Sequence, residues 1–311
     1  MKKTRAFILM ATVLAGAALR ADTVVTYPPG TILENIASAP SGDLFVSDLG
    51  SGTLYRISPQ GSSYVFGRVS GPLAGVALNV DGTVVGASGT SIYQFDRNGT
   101  PTLVLDIAGA GFLNGVTLFE PNSFLVADDT ANLIWKVDLR TRTASPWLTS
   151  SLLVPPPDGL PIGPNGVKLF AGAAYVSVTG AGTILRVPIL PDGSAGSPEI
   201  YAYSLQADDF AFGADGSIFA ATQGGQIIRL YPNGFRSTLP TGTLGDAAVA
   251  FGRNGGDRQD IYVVNNGGAF LGLPGGPLPA SVIRLSTDTT GVLPESQVHR
   301  GWASTSHRLG L

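Results

Sequence analysis

The stretch DDFAFGADGSIFAATQGG, Asp208–Gly225, decides the fold. Two apolar runs, Phe210–Phe212 and Ser217–Thr222, flank the turn Gly-Ala-Asp-Gly, which is a hairpin signal. The same arrangement recurs in ENIASAPSGDLFVSDLG from Glu34, AGVALNVDGTVVGASG from Ala74 and NGVTLFEPNSFLVADD from Asn114. It recurs again in NGVKLFAGAAYVSVTG from Asn165 and AAVAFGRNGGDRQDIYVVNNGG from Ala247.

Each copy is followed by a third apolar line with one polar residue inside it. The lines are TLYRISPQG, SIYQFDRNG, LIWKVDLRT, TILRVPILPDG, QIIRLYPNG and SVIRLSTDT, and the polar positions are Arg56, Gln94, Lys136, Arg186, Arg229 and Arg284. A weaker fourth segment follows in five copies, as in SSYVFGRV, TLVLDIA and EIYAYSL. Anchored on Glu34, Ala74, Asn114, Asn165, Asp208 and Ala247, the copies are spaced by 40, 40, 51, 43 and 39 residues. Six units of about this length with four strands each predict an all-β, six-bladed β-propeller. The sixth copy has no fourth segment of its own, so TVVTYP, Thr23–Pro28, is expected to complete it and close the ring. A β-sandwich would share the short strands but not six copies of one four-part unit. A two-domain chain would need a linker, and the repeat continues across the only candidate, LLVPPPDGLPIG at Leu152–Gly163.

The remaining chain reads as address and tail. Lys2, Lys3 and Arg5 precede an apolar run, Ala6–Leu19, of the length of a secretory signal and too short to span a bilayer well. The expected division is a signal peptide at 1–21, the propeller at 22–296 and a tail at 297–311. A secreted or periplasmic location follows, with no stable membrane insertion after cleavage; a retained anchor is the competing reading. Removing residues 1–21 leaves 15 basic against 22 acidic residues. With no basic patch carrying interleaved aromatics, nucleic acid is not an expected partner. The absence of Cys excludes disulfides and thiol chemistry. The 42 Gly and 22 Pro, against only 13% charged residues, suit a turn-rich compact chain rather than a disordered one. A monomer is expected.

In a propeller the first strand of each blade lines the central channel. The six anchors should therefore ring one end of it, and four of them, Glu34, Asn114, Asn165 and Asp208, carry side-chain oxygens. Converging acids repel unless a charge offsets them. Ca²⁺ or another divalent cation is suited to carboxylate and amide oxygens. The plainer reading is that each polar anchor caps a strand or satisfies a turn. Asp48, Asp128, Asp129, Thr179, Asn265 and Asn266, at the ends of second strands, face the same way. Asp48 and Asn265 are candidates for substrate contact, with turn roles as the alternative. The long loops at Leu152–Gly163 and Ala269–Ala280 belong to this end too, and their Leu, Phe and Pro could roof an apolar pocket.

These segments resemble the SMP-30/gluconolactonase (regucalcin-type) family of six-bladed propellers, in particular its divergent microbial members. The resemblance covers nearly all of the chain after residue 21. It implies a divalent cation, usually calcium, held by Glu34, Asn165 and Asp208. It also implies an Asn114 that contacts substrate or metal-bound water. The implied activity is hydrolysis of a lactone or related ester, with Asp208 and Asn114 as catalytic residues. Two features depart from the family: the acid-rich motif of blade one is reduced to LENI, and the substrate-orienting Arg of sugar lactonases has no counterpart.

Other chemistries find little support. The only His residues, His299 and His307, lie in the tail, which argues against a Ser-His-Asp triad or His-ligated zinc. GAGFLN, Gly109–Asn114, begins like a dinucleotide loop but precedes a strand. Three functional readings stand: a calcium-dependent lactonase or esterase, a non-catalytic ligand- or protein-binding propeller, and a propeller that catalyses a non-hydrolytic rearrangement.

Overall fold

The computed structural model describes residues 21–297. The chain opens with β1 (Asp22–Pro29) and then runs through six repeats. Blade one is β2 (Leu33–Ser38), β3 (Leu44–Asp48), β4 (Thr53–Ile57) and β5 (Ser63–Arg68). Blade two is β6 (Leu73–Leu78), β7 (Val84–Ser88), β8 (Ser91–Phe95) and β9 (Pro101–Asp106). Blade three is β10 (Leu113–Glu120), β11 (Ser123–Asp128), β12 (Leu133–Asp138) and β13 (Thr143–Thr149). Blade four is β14 (Pro164–Phe170), β15 (Ala173–Val178), β16 (Thr183–Pro188) and β17 (Glu199–Ala202). Blade five is β18 (Phe210–Phe212), β19 (Ile218–Thr222), β20 (Gln226–Leu230) and β21 (Arg236–Pro240). Blade six supplies β22 (Asp246–Phe251), β23 (Asp260–Asn265) and β24 (Pro279–Ser286), and β1 pairs with β24 as its outer strand. The chain is thus a six-bladed β-propeller of antiparallel four-stranded sheets, closed by its own first strand as expected. Residues 1–20 of the expected signal segment, the expected tail beyond residue 297 and both His residues lie outside the described residues.

Strand character follows position in the blade. The second strands β3, β7, β11 and β15 are buried along their whole length, because a neighbouring blade covers each face. They accordingly read as runs of apolar and small residues. Outer strands such as β5 and β21 are largely exposed and carry more polar side chains. The core is divided into six apolar clusters, one between each pair of adjacent blades. Phe124, Val126 and Trp135 of blade three, for example, meet Val85, Ala87 and Ile92 of blade two. The hairpin turns at the far end of the channel use positive φ, as at Gly82 (81°) and Gly216 (81°), where a Cβ would be strained.

Beyond β24 the chain leaves blade six and crosses that far end. Ala214 N–H donates to Thr290 O at 2.7 Å and Val292 N–H to Phe212 O at 3.1 Å. Under this crossing lies a cavity of about 130 Å³, lined by Ile36, Val116, Lys168, Phe212, Phe251 and Val292 among others. No helix among the described residues is long and apolar enough to cross a membrane.

Candidate functional site

The inner strands are bent where the anchors sit. In β2, β6, β10, β14 and β22 the pairing with the next strand slips just after the first residue, between Leu33 and Ile36, Leu73 and Val76, Leu113 and Val116, Pro164 and Val167, and Asp246 and Ala248. Such bulges re-aim a side chain. Here the residue re-aimed is the anchor. Glycines next to it let the inner strands close in on one another. A Cβ on Gly75 would stand 2.0 Å from Asn114 O, and one on Gly115 would stand 2.2 Å from Asn165 O. The glycine after each of these anchors is therefore a packing requirement. Two buried serines of second strands tie the ring further: Ser47 Oγ donates to Ala74 O at 2.5 Å and Ser177 Oγ to Asp208 O at 2.9 Å.

The four polar anchors converge. Asn114 Nδ2 donates to Glu34 Oε1 at 3.4 Å, bridging blades three and one. Asn165 Nδ2 donates to Asp208 Oδ1 at 2.6 Å, bridging blades four and five. Glu34, Asn114 and Asn165 are buried. Burial, followed by repulsion from Asp208, holds the Glu34 carboxyl well above its ordinary range, against the lowering effect of the Asn114 bond. Burial likewise pushes Asp208 up to about 7 against the bonds from Gln223 and Asn165, with Asp209 and Asp129 adding repulsion. The site gathers negative charge faster than its own amides can offset it.

Two neighbours join the anchors: Gln223, which the sequence reading did not single out, and Asp129, which it named only among the residues at the ends of second strands. Gln223, just after β19, donates from Nε2 to Asp208 Oδ2 at 2.6 Å, so both Asp208 oxygens accept amide hydrogens. Its Oε1 is buried without a hydrogen-bond partner among the described residues. Asp129, the first residue of the loop after β11, is raised by burial, accepts from Thr130 Oγ1 at 2.8 Å and is also bonded by the Asn114 side chain. No repeat pattern marks Gln223, because the loop in which it lies varies from blade to blade. The doubled Asp208-Asp209 was the available signal for a third feature. Asp209 points away from the mouth into the channel, where Lys168 Nζ lies 2.6 and 2.7 Å from its two oxygens and Asn35 Nδ2 3.2 Å from one.

Asp48 and Asn265 bond chiefly to their own loops and the adjoining strand. Asp48 Oδ1 accepts Ile32 N–H at 3.2 Å and Gly50 N–H at 2.9 Å, and its Oδ2 accepts from Ser51 Oγ. Asn265 Nδ2 donates to Ser281 O and Oγ, and its Oδ1 accepts from Gly267 and Ser281 N–H. Both hold their own loops in shape, and every side-chain polar atom of the two already has a hydrogen-bond partner. The apolar loops do not close a roof either: Val154, Leu160, Phe270, Leu271 and Leu278 are exposed.

Among the described residues, no three His, Cys, Asp or Glu side chains are gathered closely enough to hold a metal ion by themselves. The donor set that fits one here is mixed. The carboxylates of Glu34 and Asp208 with the amide oxygen of Asn165 are hard oxygen donors of the type Ca²⁺ takes. Their raised pKa values and the partnerless Gln223 Oε1 fit a site with unoffset negative charge.

No family model matches the sequence, and no curated protein matches it. Solved structures do. The fold is that of the SMP-30-like six-bladed propellers. A luciferin-regenerating enzyme superposes with a TM-score of 0.72 at 14% identity, covering 88% of this chain and 97% of that one. Regucalcin from Agrobacterium tumefaciens, described as a calcium-binding protein, gives 0.70 at 16% identity, with 88% and 96% covered. A gluconolactonase from Xanthomonas campestris gives 0.68 at 16%, with 86% and 89% covered. At such identities the likeness concerns architecture, and the chemistry has to be argued from the side chains.

Proposed function

We propose that this chain is a Ca²⁺-dependent hydrolase of a lactone or related ester, working at the acidic end of the propeller channel. The observation that carries the reading is the meeting of Glu34, Asn114, Asn165 and Asp208 from four blades through the Glu34–Asn114 and Asn165–Asp208 bonds. Glu34, Asn165 and Asp208 would hold the cation through side-chain oxygens. Such an ion, when bound, polarises an ester carbonyl and acidifies water.

The chain's own groups supply the rest. Asp208, holding the cation through one oxygen, would accept a proton with the other. Gln223 and Asn165 fix its carboxylate plane, so the proton-accepting lone pair has a set direction. Asn114 Nδ2 holds Glu34 by a long 3.4 Å bond, which is readily exchanged for a stronger one to a developing oxyanion. Export through the N-terminal segment is part of the proposal, and appearance of the processed chain outside the cytoplasm tests it.

The test is calcium titration by calorimetry, followed by a panel of lactones and aryl esters, for the wild type and Asp208→Ala. Calcium binding and calcium-dependent turnover, both lost in Asp208→Ala, support the reading. Undiminished calcium-dependent turnover in the variant refutes the assignment of Asp208. A second reading has an observation of its own. Both Asp208 oxygens accept amide hydrogens, which suits a rigid, non-catalytic binding site. Calcium and ligand binding with no turnover across the panel would select it.

A further inference from the structure

The inner strands leave room inside the channel at one level. Three residues after each anchor, at equivalent register, stand Ala37, Ala77, Thr117, Lys168, Ala211 and Ala250. All six line the cavity of about 130 Å³. Four alanines and a threonine do not fill the axis of a six-stranded ring, and Lys168 reaches away to Asp209. Protein cores hold few voids larger than a water molecule, so a chamber of this size is a feature of the fold. The chain after β24 closes its far side. Gly291 bridges to Gly213, and its N–H donates to Arg258 O at 3.3 Å. A Cβ on Gly291 would stand 2.2 Å from Phe251 Cβ, so the crossing segment lies directly on a residue that lines the cavity. A smaller space of about 50 Å³ shares Thr117 and Lys168 with the chamber and runs along Val292 and Pro294 of the same segment.

The chamber walls are largely apolar, with Ile36, Val76, Val116 and Val249 all buried there. Most of the polar side chains that line it are already engaged. Ser38 Oγ donates to Phe251 O at 2.6 Å, and Arg253 Nη1 donates to Ser38 O at 3.1 Å. Lys168 Nζ bonds both Asp209 oxygens, which offsets its charge and leaves its third hydrogen without an acceptor among the described residues. Thr117 is only 8% exposed, and its hydroxyl has no hydrogen-bond partner among the described residues. A buried hydroxyl in that state costs free energy. Here it stands one blade away from an ammonium that has a donor unused, at the same register.

We propose that this chamber is a second binding site, for a small uncharged molecule with an apolar ring and one hydrogen-bond acceptor such as a carbonyl. The site is separate from the converging acids and does not rest on the hydrolase reading. The volume sets the size: a dry apolar cavity of about 150 Å³ accepts benzene, so the ligand has about six to eight heavy atoms. The ring packs on the valines and Phe212, and the carbonyl accepts from Thr117 Oγ1 and the remaining Lys168 hydrogen. Charge is excluded, because Lys168 is already paired and a carboxylate would be buried without a counter-ion.

The test is methyl NMR on the purified protein, with the resonances of Ile36, Val76, Val116 and Val249 assigned. The probes share one ring size: cyclohexanone, cyclohexane and cyclohexanecarboxylate. Cyclohexanone and cyclohexane should shift these methyls saturably, and the carboxylate should not. Thr117→Val keeps the shape and removes the hydroxyl. It should weaken cyclohexanone at least about threefold, the size of one neutral hydrogen bond, and leave cyclohexane no weaker. Ala77→Leu fills part of the chamber and should weaken both rings at least about tenfold, with a cooperative thermal melt retained. Saturable shifts from neither ring, or shifts confined to other methyls, overturn the proposal. So does carboxylate binding as tight as that of the ketone, or cyclohexanone affinity unchanged in Thr117→Val. The threonine variant preserves the interior shape, so the test stands even where Ala77→Leu does not fold.

Discussion

Asn165 Nδ2 lies 2.6 Å from Asp208 Oδ1, so two residues 43 positions apart in sequence join blades four and five at the mouth of the channel. The amide can act as a donor to this acid or as an oxygen ligand beside it, and Asn165→Leu removes both options. Calcium affinity should fall by at least about tenfold, and calcium-dependent turnover with it. Asn165→Asp adds a further charge to a site that already lacks compensation, so its thermal stability without added calcium should drop. Calorimetric titration and thermal melts check both outcomes. Wild-type calcium affinity in Asn165→Leu would remove Asn165 from the ligand set.

The raised carboxyls make stability depend on pH in a defined direction. Glu34 and Asp208 have higher pKa values folded than unfolded, so the folded chain retains protons that the unfolded chain has released. Their contribution is therefore greatest below about pH 4, where both states are protonated. It is lost as pH rises through the Asp208 value of about 7 and through the raised range of Glu34. In chelator the melting temperature should fall over this window, and added Ca²⁺ should raise it most at the alkaline end. Asp208→Asn should flatten the dependence. Denaturation curves across pH, with and without calcium, read this directly.

Lys168, partly buried, pairs inside the channel with Asp209, whose side chain is only 3% exposed. Lys168→Met leaves that carboxylate with Asn35 as its remaining side-chain donor. A loss of up to about 3 kcal/mol in denaturant unfolding is expected, because the buried carboxylate loses its charged partner. The double variant Lys168→Met with Asp209→Asn should recover a large part of it, because no buried charge is then left unpaired. Additive losses in the double-mutant cycle would show that the two groups act independently.

Gly115 has Asn165 O at 2.2 Å from where a Cβ would stand. Backbone cannot retreat as a side-chain tip can, so Gly115→Ala should cost about 1–3 kcal/mol, the range of overpacking strain. It should also weaken calcium binding by shifting the strand that carries Asn165. Gly109→Ala is a contrast of a different kind: its surroundings are open, but its φ of 85° makes the cost one of backbone conformation alone. It should destabilise modestly and leave calcium affinity unchanged.

Ring closure depends on β1. Tyr27 is 8% exposed, packs 4.7 Å from Tyr55 and shares a 2.6 Å hydrogen bond with Ser63. Tyr27→Ala should destabilise by about 3–5 kcal/mol, as for a buried aromatic truncated to Ala. Deleting Asp22–Pro29 should expose the edge of β24 and drive aggregation. Unfolding curves and size-exclusion profiles check the two variants.

The sequence by itself determined the blades. Six copies of a four-strand unit allow only a ring, and the missing fourth strand of the last copy located its partner at Thr23–Pro28, within the observed Asp22–Pro29. It also placed Glu34, Asn114, Asn165 and Asp208 at one register, because a periodic fold converts equal sequence positions into equal spatial ones. Tertiary structure alone decided which polar groups remain available. Asp48, Asn265, Asp129 and Gln223 all lie at strand ends or in turns of the same kind, and Asn and Asp serve turns and ligands with the same oxygens. Only the fold shows that loop amides take up those of Asp48 and Asn265, while Asp129 and Gln223 turn toward the acids. Hydrogen-bond satisfaction depends on neighbours brought together by the ring, and a linear pattern does not contain that information.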